Sequence, residues 1–97
     1  MYYRCSMAMD FLIKGHVQGV FFRRRSKDKA DELGLTGFVE NRPDGSVFIH
    51  AEGSDTSLKE LEEWCHHGPP NAKVESVKME KAEELGISSF EMRDKLL

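Results

Sequence analysis

The sequence predicts one α+β domain in which two helices cover one face of an antiparallel sheet, and three observations carry that prediction. Apolar side chains alternate along residues 7–13 and again along 47–51, the period of half-buried strands. Two other stretches, 22–33 and 58–65, repeat their apolar residues at helical spacing. At 97 residues there is room for a single core, and no internal repeat, low-complexity tract or Pro/Gly-rich linker divides the chain.

Taken in order, the first strand is expected over residues 7–13, with Met7, Met9, Phe11 and Ile13 on its buried face. Residues 15–20 carry two glycines and lose that period; Phe22, Ser26, Ala30 and Leu33 then mark a helix that Gly34 stops. Residues 35–41 are rich in strand formers, and Arg42-Pro43-Asp44-Gly45 suits a type I turn, with Pro second and Gly fourth. On the return strand, 46–52, Val47, Ile49 and Ala51 face inward while Phe48, His50 and Glu52 face outward. Ser57 with Glu60 three residues on has the form of a capping box for the second helix. Leu58, Leu61, Trp64 and Cys65 give that helix its apolar stripe, which makes Trp64 a core residue, and Gly68-Pro69-Pro70 ends it. Two more strands are expected over 74–79 and 90–93; Val74 and Val77 are out of phase, which calls for a bulge or a late start. The order is that of the split βαβ, or ferredoxin-like, sandwich, βαββαβ plus a short C-terminal strand. Its crossover makes the first two strands parallel, so their C-terminal ends share an edge and residues 15–20 come near Asn41.

Charge narrows the function. A formal net charge of −3 excludes a protein that coats nucleic acid or anionic membrane through its overall field, so any bound anion must be met locally. Cys5 and Cys65 form neither a disulfide framework nor a metal-ligand spacing, which favours a reduced, cytoplasmic compartment. No segment has the length of a membrane-spanning helix or the apolar stretch of a signal peptide. Residues 1–6 are expected to be a disordered leader before a single domain over 7–97, and the expectation is a monomer with no metal, no cofactor, no nucleic acid and no membrane contact.

The local site is the start of the first helix. Arg23, Arg24 and Arg25 stand where the helix macrodipole and unpaired N–H groups already present positive charge. A bound anion reverses the sign of that interaction, and a glycine-containing loop before a helix is a natural phosphate seat. On these residues alone, solvated arginines with Gly15 and Gly19 serving only the turn remain the alternative.

The literal string decides further. Gly15-His16-Val17-Gln18-Gly19-Val20-Phe21-Phe22-Arg23 resembles the signature loop of the acylphosphatases, and Gly37-Phe38-Val39-Glu40-Asn41 followed by Pro43-Asp44-Gly45-Ser46-Val47 resembles their second motif. The resemblance runs from about residue 7 to 93. It implies hydrolysis of the carboxyl-phosphate bond of an acyl phosphate, with inorganic phosphate as product and inhibitor. Carried over by position, it assigns the phosphate-binding arginine to Arg23 and the water-orienting asparagine to Asn41. It assigns the phosphate cradle to the segment Gly15, His16, Val17, Gln18, Gly19 and Val20, chiefly through backbone amides, with Val17 and Gln18 shaping the loop. Three departures lie outside these motifs: the leader 1–6, Asp94 where an aromatic residue is common, and Cys65-His66-His67 at the end of the second helix.

Other residues have plainer readings. His66 and His67, adjacent on a helix, point different ways and lack further ligands at metal spacing, so they form a solvated helix end. His50, on an outward strand face, is expected at the surface; the ring of His16 faces either phosphate or solvent. Arg24 and Arg25 make a solvated helical face that can also steer anions. Asp44 and Asp55 serve turn and cap. Two rivals differ in kind. One is a non-catalytic phosphate- or RNA-binding module, weakly permitted by Phe48 and His50 but lacking the aromatic RNA-binding string. The other is the acylphosphatase-like domain of a larger carbamoyl-transfer maturation protein; with the chain ending at Leu97 and no zinc-type cysteine pairs, a freestanding enzyme is the expectation.

Overall fold

Alternation along the first segment becomes β1 (Met7–His16), and the helical stripe becomes α1 (Phe22–Leu33), closed by Gly34 in a left-handed conformation. A hairpin of β2 (Thr36–Asn41) and β3 (Val47–Gly53) follows, then α2 (Asp55–His67), β4 (Lys73–Lys81) and β5 (Phe90–Arg93). This computed structural model describes residues 7–93. The expected leader 1–6, with Cys5, and the departure at Asp94 lie outside the described residues.

The sheet order is β4-β1-β3-β2-β5. The first four strands are antiparallel neighbours, as expected, and β5 adds to the free edge of β2 in parallel. Because β3 lies between β1 and β2, those two run in the same direction, and their C-terminal ends meet at one edge. Phe11, Ile13, Val39, Val47, Ile49, Leu58 and Leu61 are fully buried between sheet and helices, together with the thiol of Cys65. Each large apolar side chain so buried contributes about 1.5–3 kcal/mol. Burial also pushes the Cys65 thiol far above its ordinary range, which leaves it unreactive. Trp64 packs against this core, its ring centroid 5.2 Å from that of Phe22, while remaining partly exposed.

Four local outcomes refine the expectations. β1 continues past residue 13 to His16, because Gly15 and His16 still pair with Val74 and Lys73. The register shifts between Lys14 and Gly15, leaving Glu75 as an extra residue; this bulge accounts for the phase break between Val74 and Val77. It also presses β4 against Gly15, where a Cβ would lie 2.1 Å from the Lys73 carbonyl oxygen. The cap of α2 is Ser54 rather than Ser57: the Ser54 side chain accepts from the Ser57 N–H at 3.2 Å, and Ser57 Oγ donates to Leu33 O at 2.9 Å, tying the end of α1 to the start of α2. His50, expected at the surface, is only 3% exposed. Its face is outward as predicted, but Asp10, Glu52 and the Phe38 ring close around it.

That cover is a polar assembly. His50 Nδ1 lies 2.7 Å from Asp10 Oδ1 and Nε2 lies 2.7 Å from Glu52 Oε2. The ring thus bridges two carboxyl groups, one through each nitrogen. Glu52, 6% exposed, also accepts from Leu85 N at 2.6 Å and from Gly86 N. Burial alone raises the Glu52 carboxyl, but the His50 bond and the two amides outweigh it and hold the group below the usual carboxylate range. Phe38 stacks on His50 with centroids 5.6 Å apart and carries the Arg93 guanidinium 3.9 Å from its own centroid.

Candidate active site

Between β1 and α1 the chain turns through residues 17–21. Val17 and Val20 are buried in the core and act as two hooks that fix the turn. Between them Gly19 takes φ 75°, a left-handed value that glycine adopts without steric penalty. Gln18 clasps the loop to the β2–β3 turn, its Nε2 donating to Arg42 O at 2.8 Å and to Ser46 O at 2.9 Å. That turn has the predicted form: Gly45 N bonds Arg42 O, and Asp44 Oδ1 accepts from Ser46 Oγ at 2.6 Å and Ser46 N at 2.9 Å, bonds that hold the Asp44 carboxyl below its ordinary value.

Phe21 ends the loop at φ 65°, the one non-glycine residue with positive φ among those described. Such a conformation costs an L-residue about 1–2 kcal/mol. As the N-cap of α1 it supplies no capping side chain, and the first turn contains no acidic residue. The first helical bond runs from Arg25 N to Phe21 O, so the N–H groups of Phe22, Arg23 and Arg24 have no acceptor within the helix.

Arg23, in this first turn, is half-buried and donates from Nη1 to Arg93 O, the end of β5, at 2.9 Å. Asn41 is the last residue of β2, opposite Val47 and two residues beyond buried Val39, so it continues the helix-side face to the sheet edge. Its Oδ1 is buried and has no hydrogen-bond partner among the described residues. Arg23 and Asn41 line one cavity of about 290 Å³, together with Gly19 and Arg24. Buried Val17 and Phe22 form its inner wall, and exposed Phe21 and Met92 its mouth.

The site residues expected from sequence therefore divide. Arg23, Asn41, Val17 and Gly19 meet at the cavity; Val20 anchors the loop from below, and the Gln18 side chain braces it. Gly15 and His16 occupy the last rungs of β1 and do not line the cavity. Arg25 faces a separate depression between α1 and the end of α2. Sequence reasoning missed Phe21 and Met92. An aromatic residue directly after a glycine-containing turn is a usable signal for the first. The second depends on β5 lying beside β2, which element order does not dictate.

The acylphosphatase family model matches residues 9–92, a span that holds both motifs. The chain belongs to the acylphosphatase family. A relative from Marinobacter nauticus named acylphosphatase is 56% identical over 66 residues, covering 68% of this chain and 72% of that protein. The structure of an acylphosphatase from Coxiella burnetii superposes with a TM-score of 0.91 at 38% identity, covering 96% of this chain and all of that one. Full-length HypF, in a phosphate- and nucleotide-bound form, contains the same fold within 12% of its length, with a TM-score of 0.84; at 21% identity that likeness shows the fold alone. The RNA-binding rival is not favoured: on the outward face, Phe48 lies under the Arg42 guanidinium at 4.1 Å and His50 is buried.

Proposed function

We propose that this acylphosphatase hydrolyses the carboxyl-phosphate bond of acyl phosphates by in-line attack of water, with Arg23 and Asn41 as its catalytic residues. The observation that carries the reading is the buried Oδ1 of Asn41, without a partner among the described residues, on a residue that lines the same cavity as Arg23. A buried acceptor without a partner costs about 1–3 kcal/mol, so its persistence beside a cationic helix start supports a role for it in the bound state. Arg23 holds phosphoryl oxygens with its planar fork, and amides of the loop between Val17 and Phe21, with those at the start of α1, hold the others. Asn41 Oδ1 accepts a hydrogen bond from the attacking water.

The water oxygen bonds to phosphorus as the bond from phosphorus to the acyl oxygen breaks, and the electron pair leaves with the carboxylate. That leaving group needs no proton, so no general acid is required. An asparagine cannot serve as a base at neutral pH, and the water's proton passes to a phosphoryl oxygen or to solvent. Products are one carboxylate and one inorganic phosphate. The charge stabilisation comes from Arg23 and the amides, so the reading includes metal independence; it also takes the protein as a cytoplasmic monomer without nucleic-acid or membrane partners. Among the described residues no helix is long and apolar enough to cross a membrane. The test is hydrolysis of benzoyl phosphate in excess EDTA with inorganic phosphate as competitor. Chelator-insensitive turnover with competitive inhibition is expected, and an inert protein refutes the reading.

A further inference from the structure

The catalytic reading uses Arg23, Asn41 and the loop amides but leaves the mouth of the cavity unexplained. Three large hydrophobic residues are exposed among those described: Phe21 at 74%, Leu85 at 58% and Met92 at 39%. Leu85 sits in the segment over the outward face. Phe21 and Met92, 71 positions apart in sequence (92 − 21), both line the one cavity that holds Arg23 and Asn41. Neither placement is accidental to the fold. Phe21 is held by an unfavourable left-handed backbone that presents its ring to solvent. Met92 pairs in register with buried Val39, which puts it on the helix side of the sheet, one residue before the carbonyl that holds Arg23.

We propose that Phe21 and Met92 form an apolar clamp for the acyl part of the substrate, so that this enzyme prefers acyl phosphates whose acyl group is apolar and about the size of a ring. The inference rests on the hydrolytic reading above. A phosphate seated on the amides and Arg23 must project its leaving group outward, away from the attacking water, and the mouth is where that group goes. The cavity, at about 290 Å³, exceeds what a phosphate alone fills, since a single water's share is about 30 Å³. A flat aromatic ring and a flexible thioether offer contact to another apolar group and no hydrogen bond to a polar one. Arg24 on the same rim attracts the phosphate dianion without contributing to choice among acyl groups.

The test measures kcat/KM on benzoyl phosphate and acetyl phosphate for wild type, Phe21→Ala and Met92→Ala, with the inhibition constant of inorganic phosphate in each. Phe21→Ala keeps a Cβ and the same backbone preference while removing the ring; Met92→Ala leaves the loop untouched. Wild type is expected to favour benzoyl phosphate, and each variant to lower the benzoyl-to-acetyl ratio by about tenfold, the discrimination one apolar contact supplies. The phosphate inhibition constant should stay within about twofold. Equal losses on both substrates, or an unmoved ratio in both variants, overturn the clamp. If neither substrate is hydrolysed the hydrolytic reading fails separately, and the clamp is then judged by binding: phenylphosphonate must raise the melting temperature of wild type more than methylphosphonate does, and the variants must lose that difference.

Discussion

The two helices lie side by side under one sheet, and they begin in opposite ways. α2 starts with Ser54 capping the Ser57 N–H and places Asp55 in its first turn, so its N-terminal pole meets the charge that suits it. α1 has no capping side chain, no acid in its first turn, a strained Phe21 at its N-cap and Arg23, Arg24 and Arg25 directly after it. One helix start is built to be stable alone. On the proposed reading an anion completes the other, and the same contrast appears in side chains: His50 is buried with both nitrogens bonded, whereas Asn41 Oδ1 is buried with no partner among the described residues.

The largest expected effect breaks this contrast at its functional end. Arg23→Ala and Asn41→Ala should each lower kcat on benzoyl phosphate by about a hundredfold or more, the usual loss for a transition-state hydrogen-bonding group. Their phosphate responses should differ. Saturation at about a hundred times Kd stabilises a folded protein by about 2.7 kcal/mol. Arg23→Ala should lose most of that thermal shift because it removes the phosphate ligand, while Asn41→Ala should keep it because it removes only the group holding water. A pair of variants that respond alike in differential scanning fluorimetry would contradict the division of roles.

How much of this was legible in the sequence follows from the range of each interaction. Local signals were sufficient for the strand and helix order, for the Pro43-Asp44-Gly45 turn and for the bulge, because each depends on a period or a turn residue within a few positions. The pairing of loop and strand end was also legible, since the crossover rule brings 15–20 to Asn41, and Gln18 bonds across that gap. What failed was long-range cover. His50 read as a surface residue because alternation names a face and says nothing of the side chains of Asp10, Glu52 and Phe38 that meet around it. Ser54 lost to Ser57 as the cap because a Glu three residues after Ser57 resembles a capping box, whereas the observed bond needs only a backbone N–H three residues on. Met92 escaped because β5 could add to either sheet edge.

A second prediction sharpens the contrast at its structural end. His50→Ala leaves Asp10 and the buried Glu52 without the ring that bonds both, and should cost about 2–3 kcal/mol, lowering the melting temperature by roughly 10–20 °C. Activity per folded molecule should change far less than in Arg23→Ala, since His50 does not line the cavity. Acid sensitivity gives the sign. The Glu52 carboxyl is depressed in the fold, so its contribution is present above its ordinary value of 4.5 and is lost as pH falls through the lower folded value. Urea midpoints measured from pH 6 to pH 3 should fall in wild type, and fall less steeply in Glu52→Gln.

The smallest effects compare the two helix starts directly. Ser54→Ala removes a working cap and should destabilise by about 1 kcal/mol. Phe21→Gly removes left-handed strain from an exposed residue and should stabilise by about 1 kcal/mol, because little buried contact is lost with the ring. Opposite signs at equivalent helix positions are what stability built into one start and withheld from the other require. The phosphate-induced thermal shift separates the two further: it should be unchanged in Ser54→Ala, whose helix start binds nothing. In Phe21→Gly it should shrink, because the loop gains freedom that phosphate must then remove.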